Sequence, residues 1–155
     1  DGGSAEIWTF NNLTVNGRIE GRGGDGQDEQ KGAQINLGVT GDLMVGPTGY
    51  VDTSAQDHGG SLIAHVMGDA HIEGVITCTA GSGAFQQNGG VVKLISAGDI
   101  DISGAIDASG EENWIDIDGR LLARGAYVNI RGQNITLTGD IFANGGSGGG
   151  QQYVS

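Results

Sequence analysis

Cysteine, proline and basic side chains are all scarce in this chain of 155 residues, and each shortage excludes something. The one cysteine, Cys78, forbids an internal disulfide, so stability has to come from backbone ladders and packing, and the redox compartment is left undecided. The one proline, Pro47, rules out collagen, which needs imino acids in a strict triplet period, and also a proline-rich linker. Basic residues number 7 against 19 acidic ones, and the formal net charge of -12 argues against nucleic acid or an anionic membrane surface as partner and in favour of cations. No run of about 18 apolar residues occurs, so no membrane span is expected. The chain opens on Asp1 rather than Met, which reads as a removed targeting segment or as a piece of a longer protein.

Glycine is what the chain has in excess, 32 residues of it, and in the absence of a triplet period glycine marks turns. The turns punctuate a phrase that recurs: Asx, apolar, any, apolar, any, Gly, any, Ile or Val. Its copies start at Asn12, Asp42, Asp69, Asp99 and Asn134, which are 30, 27, 30 and 35 residues apart. Recurrence at such a period is the signature of a solenoid, because each copy can bury its apolar face only against its neighbours. Alternation inside and around each copy has period two, so the units are strands, and helical periodicity is absent.

Stacking the copies defines inward columns. One reads Leu13, Leu43, Ala70, Ile100, Ile135; the next Val15, Val45, Ile72, Ile102, Leu137; a third Ile19, Val51, Ile76, Ile106, Ile141. A column of small residues follows: Gly21, Thr53, Cys78, Ala108, Ala143. The second copy aligns only with two extra residues around Gly46 and Pro47, a bulge or wide turn where proline's missing donor is tolerated. Three strands and three turns per repeat predict an all-β fold, a single-stranded right-handed parallel β-helix (β-solenoid) of about five coils with roughly 27–30 residues each. The whole chain, 1–155, forms one domain, with coils near 5–32, 33–60, 61–90, 91–126 and 127–155. At about 4.8 Å per strand the core is a rod roughly 24 Å long.

Two stretches carry a family likeness. Residues 98–110, Gly-Asp-Ile-Asp-Ile-Ser-Gly-Ala-Ile-Asp-Ala-Ser-Gly, and residues 134–146, Asn-Ile-Thr-Leu-Thr-Gly-Asp-Ile-Phe-Ala-Asn-Gly-Gly, resemble the repeats of large secreted β-helix proteins. Filamentous-haemagglutinin-like adhesins and autotransporter passengers are the nearest group. The resemblance covers most of the chain and is specific to architecture. It implies secretion, an extended shape and a role in contact or scaffolding, at an extracellular or cell-surface location.

The Asx column, Asn12, Asp42, Asp69, Asp99 and Asn134, has two readings: a stripe of carboxylates that attracts cations, or a ladder of Asx turns in which each side chain bonds its own backbone. Interchange of Asn with Asp favours the turns, which tolerate either, over calcium, which mostly does not. The sequons at Asn12 and Asn134 fall in the same stacked corner and are read as accidental. The best ligand loop is Glu111, Glu112, Trp114, Asp116 and Asp118, in the longest interval between repeats. Hard oxygen ligands beside an aromatic suit a sugar ring or Ca²⁺, the latter at Asp116 and Asp118, the one cofactor considered. The competing reading, an extra strand with carboxylates facing solvent, fits the alternation better.

Catalysis has little to stand on. Carboxylates are abundant enough that a pair at glycosidase spacing arises by chance, and cations that a polysaccharide lyase would cluster are few. His58, His65 and His71 lack ligand spacing, and Cys78 sits in the small inward column as an inert thiol. The strand pattern runs off both ends, so the expected partner is a second copy stacked end to end, or flanking coils of a longer chain, with surface glycans as further candidates. The expected function is therefore a structural or adhesive rod segment or filament subunit, not an enzyme; the alternative is a polysaccharide-binding or polysaccharide-degrading β-helix that uses the Trp114 loop.

Overall fold

The computed structural model describes residues 2–24, 30–81, 88–110, 125–145 and 151–155. Its regular elements are all strands, and they stack in parallel as a β-solenoid with three faces. The first face, sheet A, contains β1 (Ser4–Thr9), β4 (Gln34–Val39), β7 (Ser61–Val66), β10 (Val91–Ser96), β13 (Tyr127–Arg131) and β16 (Gln151–Val154) in that order. Sheet B stacks β2 (Leu13–Val15), β5 (Leu43–Val45), β8 (Ala70–Ile72), β11 (Ile100–Ile102) and β14 (Ile135–Leu137). Sheet C stacks β3 (Arg18–Glu20), β6 (Tyr50–Asp52), β9 (Val75–Thr77), β12 (Ala105–Asp107) and β15 (Asp140–Phe142). The expected five coils of roughly 27–30 residues are not matched. Sheet A carries a sixth strand, and the last interval in the Asx column is 35 residues, longer than the expected 27–30.

Register follows the inward columns. Leu13 pairs with Leu43, Leu43 with Ala70, Ala70 with Ile100 and Ile100 with Ile135. Ile19, Val51, Ile76, Ile106 and Ile141 are paired in the same way on sheet C. In a parallel stack every side chain sits above its counterpart, so an apolar residue packs on an apolar residue along each inward column, β-branched on β-branched throughout the column Ile19, Val51, Ile76, Ile106 and Ile141. The interior columns are closed in the middle: Ile72, Ile102, Ile106, Val128 and Ile130 are wholly buried. A slip of one residue would turn each column outward, so the core fixes the register.

Three corners join the faces. Between sheets B and C runs a glycine column, Gly17, Gly49, Gly74, Gly104 and Gly139, in which each of the first four carbonyls accepts an N–H from the next strand of sheet C, as in Ala105 N–H to Gly74 O at 3.0 Å. A methyl on Gly104 would overlap the carbonyl oxygen of Gly74, and one on Gly139 that of Gly104, so the close approach of backbones excludes any side chain there. The two extra residues at Pro47 and Thr48 form a tight turn closed by Gly49 N–H to Gly46 O at 2.7 Å, where proline's missing donor leaves no ladder bond unmade.

The corner between sheets C and A is tight too. The small column Gly21, Thr53, Cys78, Ala108 and Ala143 continues the strand ladders, with Cys78 N–H donating to Asp107 O at 2.7 Å. A methyl on Gly90 would press against Cys78, which is the reason the column is confined to small residues.

Candidate functional site

The Asx column lies at the corner between sheets A and B, and its bonds run between repeats. Asn12 Oδ1 accepts the N–H of Asp42 (2.9 Å), Asp42 Oδ1 that of Asp69 (3.0 Å), Asp69 Oδ1 that of Asp99 (2.8 Å) and Asp99 Oδ1 that of Asn134 (3.2 Å). This corrects the expectation that each side chain would bond its own backbone. The parallel stack brings the next copy's amide within reach, and that amide would otherwise lack a partner at the corner. The glycine before each Asp of the column takes part as well. A methyl on Gly68 would collide with Asp42 Oδ1, and one on Gly98 with Asp69 Oδ1. Gln133 stands in place of that glycine before Asn134, at the longest bond of the ladder. Asn134 also donates its Nδ2 to Asp99 Oδ1 at 2.7 Å, so the nitrogen a glycan would need is engaged.

True Asx turns occur elsewhere, at the corner between sheets C and A. Asp52 Oδ1 accepts the N–H of Ser54, and Asp107 Oδ1 that of Ser109, each at 2.9 Å. Asp52 is completely buried and also bonds the Ser54 hydroxyl and Arg22 Nε. Burial pushes its carboxyl upward, but the two bonds from Ser54 and then Arg22 outweigh it and hold the carboxyl below the ordinary carboxylate range. Arg22 is raised in turn, first through its hydrogen bond with Asp52. Glu20 adds a looser contact to Arg22 at 3.7 Å.

The remaining predicted residues do not converge. His65 faces outward on sheet A and His71 outward on sheet B, while His58 belongs to a short bridge row with Lys31 and Asn88, its Nδ1 lying 2.7 Å from Asn88 Nδ2. Among the described residues no three His, Cys, Asp or Glu side chains are grouped to hold a metal ion, and no helix is long and apolar enough to cross a membrane. Burial pushes the Cys78 thiol up to about 12, with the Thr53 side chain and the Leu62 backbone pulling the other way. Glu111, Glu112, Trp114, Asp116 and Asp118 lie outside the described residues.

What the sequence reading passed over is the outer face of sheet A. Trp8, Gly38, His65, Ile95 and Arg131 form one outward column. The Trp8 indole lies down over Gly38, where any side chain would occupy the ring's place, and remains 71% exposed. With Phe10, 91% exposed, and Met67, 69% exposed, it lines a shallow cleft of about 240 Å³. A second cleft, of about 290 Å³, lies towards the other edge of the same face, lined by Tyr127, Asn129, Arg131 and Ser155. Asn129 Nδ2 donates to the Tyr127 hydroxyl at 2.9 Å, and the Lys93 ammonium stands 5.8 Å from the Tyr127 ring centre. The signal was present in the alternation Ile7-Trp-Thr-Phe10, which points Trp8 and Phe10 away from the core, and in a glycine placed mid-strand beside Trp8. No protein-family model, no curated protein and no solved structure matches this chain.

Proposed function

We propose that the protein is a structural β-solenoid, a rod segment or head-to-tail subunit of an extracellular surface or matrix assembly, with no catalysis. The observation that carries this reading is the state of the aliphatic columns at the terminal edges. Ile7, Leu13 and Ile19 at one edge, and Ile135 and Ile141 at the other, pack against the core but are only partly buried, and Leu137 is 47% exposed. Strand edges with apolar side chains and open backbone groups are normally covered or paired, and further coils, from the same chain or from a second copy, would supply both. We read the winding as right-handed, the hand taken by nearly all parallel crossovers. The corner chemistry is consistent with scaffolding, because the Asx and glycine columns are occupied in holding the repeats together.

The extracellular placement draws on the likeness of residues 98–110 and 134–146 to secreted repeats. Light scattering over a concentration series, with electron microscopy of the same samples, tests the assembly: mass rising in whole subunits and unbranched rods are expected of the filament form. A particle that stays monomeric at high concentration removes that form and leaves the rod segment. Depolymerisation of any member of a panel of soluble polysaccharides would overturn the structural reading altogether.

A further inference from the structure

The described carboxylates are segregated by face, whereas the cations are spread, with Arg18 on sheet C and Arg22 at the corner beside it. Sheets B and C and their corners carry Glu20, Asp42, Asp69, Asp99, Asp101 and Asp140, whereas among the described outward positions of sheet A the one carboxylate is Glu6, on the edge strand. The same face carries Lys93 and Arg131, with amides at Gln34, Asn36 and Asn129, in a chain of net charge -12. The net charge of the whole chain disfavours polyanions in general, but one resting on the described outer positions of sheet A meets Lys93 and Arg131 against the single edge carboxylate Glu6.

We propose that the outer face of sheet A binds an acidic polysaccharide laid along the stack, with a sugar ring on Trp8 and its carboxylates near Lys93 and Arg131. Trp8 offers a flat ring fixed against backbone, and the C–H face of a sugar complements the negative face of an indole. Trp8 and Arg131 share one outward column with three residues between them, so at about 4.8 Å per strand they are roughly 19 Å apart. Each cleft, about 240 and 290 Å³, is smaller than the roughly 300–1,000 Å³ of sites that enclose a whole small molecule. Two small open clefts on one face, an aromatic at one and a cation at the other, suit an extended chain better than a compact ligand. The proposal does not depend on end-to-end joining, since both clefts lie on a side of the rod.

The test is titration of the whole chain with polygalacturonate, a polyuronate, and with dextran as its uncharged counterpart, by calorimetry at low and moderate salt. Polygalacturonate is expected to bind, more weakly as salt rises, and dextran to bind much less. Trp8→Ala and the pair Lys93→Gln with Arg131→Gln should each weaken binding about tenfold, as loss of a stacked ring or of two charge contacts does. Phe142→Ala, on sheet C, should leave it unchanged. Circular dichroism and melting verify each fold, and if Trp8→Ala melts early, Arg131→Gln on its exposed side chain carries the test. Absence of polygalacturonate binding, equal binding of dextran, affinity retained in the folded variants, or equal loss in Phe142→Ala would each overturn the proposal.

Discussion

Asp69 Oδ1 accepts the backbone N–H of Asp99 at 2.8 Å, from a residue 30 positions further along the chain. The carboxylate therefore works as an acceptor between repeats, and a neutral amide oxygen can do the same work, as Asn12 does at the start of the column. Substitution Asp69→Asn should keep the bond and relieve repulsion from Asp42 and Asp99, which is about 1 kcal/mol per neighbour near 5 Å in water. It should be neutral to stabilising at low salt, with the gain shrinking as salt rises. Asp69→Ala should lose about 1 kcal/mol by leaving the Asp99 amide without its partner. Urea denaturation of the three proteins at two salt concentrations measures both effects, and a loss in Asp69→Asn as large as that in Asp69→Ala would show that the charge itself matters.

The glycine corner makes a steeper prediction. Because a methyl on Gly104 would overlap the carbonyl of Gly74, Gly104→Ala forces two backbones apart and should cost about 1–3 kcal/mol or more. Gly81→Ala is the comparison, since a methyl there meets nothing nearer than 3.7 Å. It should change stability by no more than about 0.5 kcal/mol. Thermal melts of both variants decide whether close approach or turn composition holds this corner.

The columns were legible in the sequence because the packing rule is simple: period-two alternation, repeated at near-constant spacing, leaves a single alignment in which Leu13, Leu43, Ala70, Ile100 and Ile135 coincide. The Asx corner was legible as a place but not as a bond. Residue type tells that an oxygen will accept an N–H at Asp42, and only the stack tells that the N–H belongs to Asp69. The glycines at 41, 68 and 98, each directly before an Asp, were the readable trace of that bond, because an oxygen from the previous repeat occupies the space of their missing side chains. The Trp8 face escaped because outward positions carry no pattern of their own. Solvent imposes no periodicity, so Gln34, Ser61 and Val91 succeed one another in one column without a shared chemistry.

Acid should find the Asp52 corner. Its carboxyl is held below the ordinary range in the folded protein, by Ser54 and Arg22 against the opposing effect of burial. The unfolded chain thus takes up the proton first as pH falls, near the ordinary value of about 3.9. The contribution to stability is fully present above that value and is lost as pH falls through the folded one. Asp52→Asn should lower stability at pH 7, by roughly 1–3 kcal/mol for the buried bonds it weakens, and should flatten the pH dependence below about pH 4. Chemical denaturation of both proteins between pH 2.5 and 7 measures it, and parallel curves would mean that Asp52 does not titrate with folding.

Thr53 and Cys78 give the last prediction. Both are wholly buried, and the Thr53 hydroxyl makes no standard hydrogen bond, so its contact with the sulfur is a weak one. An unmet buried hydroxyl costs stability, and replacing it with a methyl of the same shape removes the cost without opening a cavity. Thr53→Val should therefore stabilise the protein by about 1 kcal/mol. Cys78, its thiol pushed up to about 12 by burial, should resist alkylation by iodoacetamide at pH 8 until the fold opens, and should react more slowly still in Thr53→Val. Mass spectrometry of the alkylated protein over time measures the opening, since only the unfolded thiol is both exposed and ionised. Rapid labelling of the native protein would show that the corner opens locally, between Cys78 and the glycines packed against it, at far lower cost than global unfolding.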